Sequence, residues 1–299
     1  MSSLSEDLQK TKSDIQQFRD ITSRVLNYIP DVLDEETEFI GYQICSSNIA
    51  GTRKSIRPFR NDLFIRSVNI FNDRYGSFEE IINRLKNEER EFTQDEYHLV
   101  DSVVYTIQQA MGIGLDLMVQ SNSARKHVGN RFEELIRTLL SNLEISIKKV
   151  VLSIPYETDE GNKYYRCETD VIISPFESVK SDATSINQNE IVVSLKTTTK
   201  DRMPKIFIDK VLMERFVGHP VRVVGISQND IQRKEDTGEI KISSTFVSNL
   251  FMVYTRFLAQ LEGYYYLDLP SKALERPFNQ HIFTFSKFLL KDVWKMLNP

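Results

Sequence analysis

The apolar residues near the start of the chain recur at helical spacing, with polar residues between them. Pro30 ends this pattern, which predicts one amphipathic helix over residues 5–27. A second helix is predicted over residues 77–91. A third begins at Thr93 and Glu96, whose side chains form a capping box with the first-turn amides. We therefore expect residues 1–120 to form a mainly helical N-terminal region.

Beyond residue 120, helical patterns alternate with short runs of β-branched residues. The predicted helices cover residues 130–143, 205–216, 243–261 and 283–296, and the predicted strands cover residues 145–155, 164–174, 190–196 and 221–227. The segment 176–189 is rich in Ser, Asn and Asp and is expected to be a loop. This order predicts an α/β fold in which residues 121–299 form a mixed β-sheet core flanked by helices.

Composition narrows the classes of protein that the chain can represent. Its 299 residues carry 38 Lys and Arg against 42 Asp and Glu, a net charge of -4, which argues against a protein that coats DNA without specificity. Two distant cysteines are too few for a disulfide framework or a four-cysteine zinc site. The polar start and the lack of a long apolar run favour a cytoplasmic location.

One acid and one lysine stand on neighbouring predicted strands. Asp170 lies in the run 164–174 and Lys196 ends the run 190–196. A carboxylate that holds Mg²⁺ and a lysine that orients the attacking water are what phosphodiester hydrolysis requires. Taken by itself, such a pair is more often an ordinary ion pair between adjacent strands.

Three charged residues follow this predicted strand: Lys200, Asp201 and Arg202. Arg202 can bond bidentately to guanine, Asp201 can accept from the cytosine amine, and Lys200 can reach a second guanine. The triplet therefore suits a C·G pair. The alternative is a solvated turn with an internal ion pair between Asp201 and Arg202.

The motif around Lys196 resembles type II restriction endonucleases of the PD-(D/E)xK fold, in particular the CCGG group related to EcoRII, PspGI and PfoI. In that group the catalytic lysine is followed four, five and six residues later by a basic, an acidic and an arginine residue, as Lys196 is here by Lys200, Asp201 and Arg202. Ser194 stands where more distant relatives carry an acid, which is also typical of the group. The resemblance implies a Mg²⁺-dependent nuclease.

The resemblance implies how Mg²⁺ would be bound. The group takes a second carboxylate from the helix after the catalytic strand. Asp209 occupies that place, although the family usually has the longer Glu, and Glu214 further along the helix is an alternative. The implied ligands are Asp170, Asp209 and the backbone carbonyl of Leu195.

The resemblance also implies a catalytic glutamate before the sheet. Gly129, Phe132 and Glu133 match a G-x-x-F-E motif, so Glu133 is the implied residue. The preceding Arg125 and Lys126 would lie on the DNA backbone or groove, in a loop. The alternative for Glu133 and its neighbour Glu134 is a solvated acid in the first turn of a helix.

A second group of basic residues lies in the N-terminal region. We call Arg53, Lys54, Arg57 and Arg60 the basic arm; Pro58 and Phe59 are interleaved with them. Such a segment suits contact with the DNA backbone or stacking on a flipped nucleotide. The alternative is an exposed loop whose charges serve solubility.

Together these residues predict a type II restriction endonuclease that cuts double-stranded DNA at a palindromic site with a CC…GG core and leaves 5′-phosphate ends. A palindromic site favours a homodimer, through residues 243–261 or the N-terminal helices, and a restriction system implies a cognate methyltransferase. Two alternatives stay open: a PD-(D/E)xK repair or resolution nuclease without base specificity, and a non-catalytic DNA-binding protein.

Overall fold

The computed structural model describes residues 3–33, 35–49, 52–199, 202–236 and 239–298. They fall into two compact units. Unit 1 comprises Met1–Leu139 and Gln228–Thr245, and unit 2 comprises Leu140–Ser227 and Phe246–Pro299. Among the described residues, no helix has the length and apolar character needed to cross a bilayer.

Helices dominate the N-terminal part of the chain. Its elements are α1 (Leu4–Gln9), α2 (Ile15–Tyr28), β1 (Glu35–Phe39), β2 (Tyr42–Ile49), β3 (Thr52–Ser55), β4 (Phe59–Arg60), α3 (Val68–Lys86), α4 (Gln94–Met118) and α5 (Ser121–Asn142). The helix α4 is central to unit 1, because every residue from Val100 to Leu115 is buried and α1, α2 and α3 pack around it. The capping box of Thr93 and Glu96 is confirmed at its start.

Two expectations for this part are wrong. The helix predicted over residues 5–27 is interrupted, and α2 begins anew where Asp14 caps the N–H of Gln16 at 2.7 Å. In addition, β1 to β4 form an antiparallel sheet that the sequence did not predict. The division of the chain into an N-terminal region of residues 1–120 and a nuclease core of residues 121–299 stays a prediction.

The remaining elements form the rest of the fold. They are β5 (Ser146–Lys148), β6 (Val151–Thr158), β7 (Gly161–Glu168), β8 (Val171–Ser174), β9 (Ile191–Thr198), α6 (Met203–Val217), β10 (Arg222–Asn229), β11 (Ile231–Asp236), β12 (Glu239–Ser244), α7 (Ser248–Phe257), β13 (Gly263–Tyr266), β14 (Ile282–Thr284), α8 (Phe285–Lys287) and α9 (Val293–Leu297). A π-helical turn over Phe288–Asp292 joins the last two helices.

A six-stranded sheet forms the centre of unit 2, in the order β14-β13-β10-β9-β8-β5. Its strands run antiparallel between β5, β8 and β9 and parallel between β10, β13 and β14. The predicted α/β fold with a mixed sheet and flanking helices is therefore confirmed. Strands β6 and β7 form a separate ribbon, and β11 and β12 a hairpin.

Three long predicted elements are divided in the structure. Residues 145–155 form β5 and β6, and residues 164–174 form β7 and β8. The helix predicted over residues 243–261 is the end of β12 followed by the shorter α7. Each pattern continues through a point where the chain changes direction, so the apolar spacing alone does not reveal the break.

The helix α6 is fixed against the sheet by a continuous apolar core. Its residues Met203, Ile206 and Phe207 are buried in the same cluster as Val192 of β9 and Val223 of β10. Removing a buried phenylalanine side chain such as that of Phe207 costs about 3–5 kcal/mol. This packing sets where the first turns of α6 lie relative to β9.

Candidate active site

Asp170 lies at the break between β7 and β8. The buried Thr169 precedes it, and its hydroxyl accepts from the N–H of Val150 at 3.1 Å and donates to the carbonyl of the same residue at 2.8 Å. The N–H of Thr169 also donates to that carbonyl, at 2.9 Å. These three bonds fix the backbone immediately before Asp170, so its carboxylate is held at the strand end.

Lys196 reaches Asp170 because β8 and β9 pair in antiparallel register. With Val171 opposite Val193, the chain after Val193 runs beside Asp170. Lys196 Nζ lies 2.7 Å from Asp170 Oδ2 and 3.0 Å from the carbonyl oxygen of Leu195. The structure therefore brings together the acid and lysine that the sequence paired.

The two oxygens of Asp170 differ in their surroundings. Oδ2 also accepts from the N–H of Leu195 at 2.7 Å and from Ser194 Oγ at 3.3 Å. Within the described part of the chain, Oδ1 has no hydrogen bond. Because the side chain is 18% exposed, Oδ1 is a carboxylate oxygen available to a ligand at the bottom of an accessible site.

Asp209 lies one turn into α6 and pairs with a lysine that the sequence analysis did not single out. Lys205 Nζ is 2.6 Å from both carboxylate oxygens of Asp209. Burial lowers the pKa of Lys205, but the hydrogen bond to Asp209 and its negative charge outweigh burial, and the pKa is raised. Lysine and aspartate four residues apart on a predicted helix are the signal that could have revealed this pair.

Glu214, the alternative to Asp209, forms hydrogen bonds at the far end of α6. Its Oε1 accepts from Lys210 Nζ at 2.7 Å and from the N–H of Val221 at 3.1 Å. These bonds tie the end of α6 to the start of β10. The geometry therefore favours Asp209 as the second acid.

Both lysine–aspartate pairs line one cavity of about 310 Å³ in unit 2. Tyr165 and Cys167 contribute to its wall, and burial followed by the charge of Asp209 raises the pKa of the Cys167 thiol. Among the described residues, no three His, Cys, Asp or Glu side chains cluster as a complete metal site.

The donor set of the cavity nonetheless fits a hard divalent cation. Three carboxylates line it, those of Glu168, Asp170 and Asp209, and Oδ1 of Asp170 accepts no hydrogen bond from the described residues. The carbonyl oxygen of Leu195 lies close to Asp170, since Lys196 Nζ bonds to both. Oxygen ligands of this kind suit Mg²⁺, which retains several waters and needs few protein ligands. Which residues bind it stays a prediction.

Glu133 and Glu134 lie on α5 in unit 1 and have different surroundings. Glu134 accepts from Arg131 Nη2 at 2.7 Å and from the N–H of Lys12 at 2.9 Å, so it is a structural residue. Glu133 is partly exposed, with Arg137 Nη2 3.9 Å from its Oε2. Neither is in a first turn, because α5 begins at Ser121. The catalytic role of Glu133 stays a prediction.

Arg125 and Lys126 are exposed, as a contact with DNA requires. The loop expected around them is instead the first two turns of α5. Of the predicted base-reading triplet, Lys200 and Asp201 lie outside the described residues. Arg202 is exposed and forms the N-cap of α6.

The described side chains of the basic arm have partners within unit 1. Arg57 donates two bonds to Asp116, at 3.0 and 2.9 Å, and Lys54 Nζ donates to the carbonyl of Leu117 at 2.7 Å. Arg60 pairs with Asp62. Arg53 lies in β3, and its side chain is outside the described part. These bonds satisfy the cations without DNA, and their DNA contacts stay a prediction.

Comparison with known proteins bears on the fold. No family model and no curated protein matches the chain. Among solved structures it is similar to the type IIP restriction endonuclease Kpn2I, with a TM-score of 0.71 at 16% identity over 95% of this chain and 91% of that one. The chain has a restriction-endonuclease fold. It also matches the restriction endonuclease PspGI in a complex with substrate DNA, with a TM-score of 0.42 at 12% identity over 76% and 93% of the two chains. The CCGG grouping stays a prediction.

Proposed function

We propose that the protein is a type II restriction endonuclease that cuts double-stranded DNA at a palindromic site with a CC…GG core and leaves 5′-phosphate ends. The observation that carries the proposal is the cavity in which Asp170, Lys196 and Asp209 meet, at the end of a strand pair in a restriction-endonuclease fold. The name of Kpn2I, a type IIP restriction endonuclease, supports the same class of activity.

The proposed chemistry assigns a separate task to each residue. Mg²⁺, when bound by Asp170, Asp209 and the Leu195 carbonyl, supplies Lewis-acid stabilisation of the phosphate and a more acidic water. Lys196 donates a hydrogen bond to the attacking water and stabilises the negative charge that grows on it. The N–H of Leu195 holds Asp170 Oδ2, which keeps the other oxygen of that carboxylate oriented.

Base recognition is assigned to the segment directly after the catalytic strand. Arg202 lies six residues after Lys196, is exposed and begins α6. An arginine in this position can donate two hydrogen bonds to a guanine while Lys196 faces the phosphate. We assign Lys200 and Asp201 to the other contacts with the CC…GG core.

A palindromic site is most simply cut by a two-fold dimer, and we place its interface on α7. Val253 and Phe257 of α7 and Leu258 directly after it are 50%, 75% and 42% exposed. The apolar side chains of α2, by contrast, are buried inside unit 1, with Phe18 and Val25 at 0% exposure. The proposed dimer works in the cytoplasm beside a methyltransferase that protects the same site.

Cleavage of a random-sequence DNA library, followed by sequencing of the ends, tests the proposal. We expect Mg²⁺-dependent cuts at one palindrome with a CC…GG core, and ends that a ligase joins without added kinase. Arg202→Ala should lose this specificity, while Arg215→Ala, an exposed arginine at the other end of α6, should retain it. Cuts without a common sequence would instead support a repair or resolution nuclease, and no cuts a DNA-binding protein.

A further inference from the structure

The two lysines of the cavity are held to different degrees. Lys196 is 12% exposed, and its Nζ bonds to both Asp170 and the Leu195 carbonyl. Lys205 is 55% exposed, and among the described residues its Nζ donates hydrogen bonds to Asp209 alone, one helical turn away. An exposed lysine on a flexible four-carbon stem can exchange partners easily. Lys205 is therefore the less firmly held of the two lysines.

The charges of the cavity cancel in this arrangement. Its described wall carries three cations, from Arg166, Lys196 and Lys205, and three anions, from Glu168, Asp170 and Asp209. The described lining residues therefore offer no net positive charge to a DNA phosphate. In addition, both oxygens of Asp209 already face an ammonium group at 2.6 Å, which competes with any metal ion for that carboxylate.

We propose that Lys205 is an exchangeable cation that holds Asp209 in the free protein and moves to a DNA phosphate when a divalent cation takes Asp209. The inference rests on the proposed function. Lys205 lies three residues after Arg202 in the same first turn of α6. A phosphate next to the bases that Arg202 contacts is therefore within the reach of its side chain.

This exchange couples two binding events. A cation on Asp209 releases Lys205 for the DNA, and DNA that holds Lys205 leaves Asp209 open for the cation. Each ligand therefore raises the affinity of the other, by the same factor. Lys196 plays no part in the exchange, because its two acceptors keep it on the strand.

Binding of Mn²⁺ to the DNA-free protein, measured by electron paramagnetic resonance, tests the first half of the exchange. Mn²⁺ prefers the same oxygen ligands as Mg²⁺, and Asp209→Asn identifies the ions that belong to the cavity. We expect Lys205→Gln to bind Mn²⁺ about twofold to fivefold more tightly, since a solvated competitor is gone. Lys205→Arg should bind Mn²⁺ as the wild type does.

The salt dependence of DNA binding, measured with Ca²⁺ present, tests the second half. Lys205→Gln should weaken binding and reduce the slope of log affinity against log salt concentration by about one, because one phosphate contact is lost. Lys272→Gln is the matched control. Lys272 is 51% exposed and pairs with Glu275 at 2.7 Å, but it does not line the cavity, so neither readout should change.

The results separate this inference from the proposed function. Wild-type protein that binds neither Mn²⁺ nor DNA overturns the proposed function and the exchange together. Wild-type protein that binds both, with Lys205→Gln unchanged in Mn²⁺ affinity or in salt slope, overturns the exchange alone. Weaker Mn²⁺ binding by Lys205→Gln would also overturn it, since Lys205 would then be positioning Asp209 for the metal.

Discussion

Replacement of Glu190 should have a large effect on stability, because its side chain is fully buried, with 0% exposure. Glu190 lies at one end of the β8–β9 pair, and Asp170 lies at the other end. Its Oε1 accepts from Ser174 Oγ at 2.8 Å and from the N–H of Lys180 at 2.6 Å. Its Oε2 accepts from the N–H of Ser181 at 2.9 Å and from the hydroxyl of the same residue. One side chain thus ties the loop at residues 175–189 to the strand pair beside which Asp170 and Lys196 lie.

The magnitude follows from the donors that lose their acceptor. Three of the four bonds, those from Ser174 and Ser181, are buried. Each buried donor without a partner costs about 1–3 kcal/mol. Because three buried donors lose their acceptor together, we expect Glu190→Ala to lower the free energy of unfolding by about 3–5 kcal/mol. Glu190→Gln keeps one acceptor oxygen and should lose about 2–4 kcal/mol.

Equilibrium urea unfolding followed by circular dichroism measures this loss, and Asp182→Asn is its matched control. Asp182 lies in the same loop and also accepts four hydrogen bonds, from Thr184 and Ser185, but it is exposed. Its replacement should therefore cost clearly less. Equal losses for Asp182→Asn and Glu190→Gln, or a loss under about 1 kcal/mol for Glu190→Ala, would refute the argument from burial.

Two further predictions concern unit 1. Gly112→Ala should lower the free energy of unfolding by about 1–3 kcal/mol, because the new Cβ would overlap the guanidinium group of Arg57, which Asp116 holds in place. Gly76→Ala, with nothing within 4 Å of its Cβ, should not lower it, and thermal unfolding compares the two. Burial lowers the pKa of His127 from its ordinary value of 6.5, so the unfolded chain binds the proton more tightly. The contribution of His127 to the free energy of unfolding should be constant above pH 6.5 and fall as the pH drops below that value. Unfolding curves measured over a series of pH values should show this fall in the wild type and not in His127→Gln.

The pairing of β8 with β9 could be predicted from the sequence, because the two apolar runs follow one another closely along the chain. The apolar residues of β8 directly follow Asp170, and Lys196 ends the predicted run 190–196 that became most of β9. Two strands close in sequence pair readily, so the proximity of Asp170 and Lys196 followed from the pattern. The mixed sheet followed from the order of the elements.

The breaks within the predicted elements could not be found in this way. The run 164–174 has aromatic residues at its start and β-branched residues at its end, but it divides where Thr169 bonds to the backbone of Val150, 19 residues earlier. The sheet of β1 to β4 contains polar strands such as Glu35–Phe39, whose pairing depends on partners and not on apolar alternation. Such contacts are tertiary, and a window of neighbouring residues does not contain them.

Charges posed a similar difficulty, because a sequence does not tell which partner a charged residue has. Arg57 looked like a contact for DNA and is bound to Asp116, 59 residues away. In the sequence, Glu134 was as good a candidate for a solvated acid as Glu133, but in the structure it accepts hydrogen bonds from Arg131 and Lys12. The pairing of Lys205 with Asp209 could have been predicted, since the two residues are one helical turn apart.

The most direct test of the central claim is the Mg²⁺-dependent cleavage rate of plasmid DNA by Lys196→Met, measured beside its DNA affinity. Lys180→Met is the control, since Lys180 is exposed and does not line the cavity. We expect Lys196→Met to cut about 10²- to 10⁴-fold more slowly while still binding DNA, and Lys180→Met to cut at the wild-type rate. Undiminished cleavage by Lys196→Met would contradict the assignment of the Asp170–Lys196 pair as the catalytic centre.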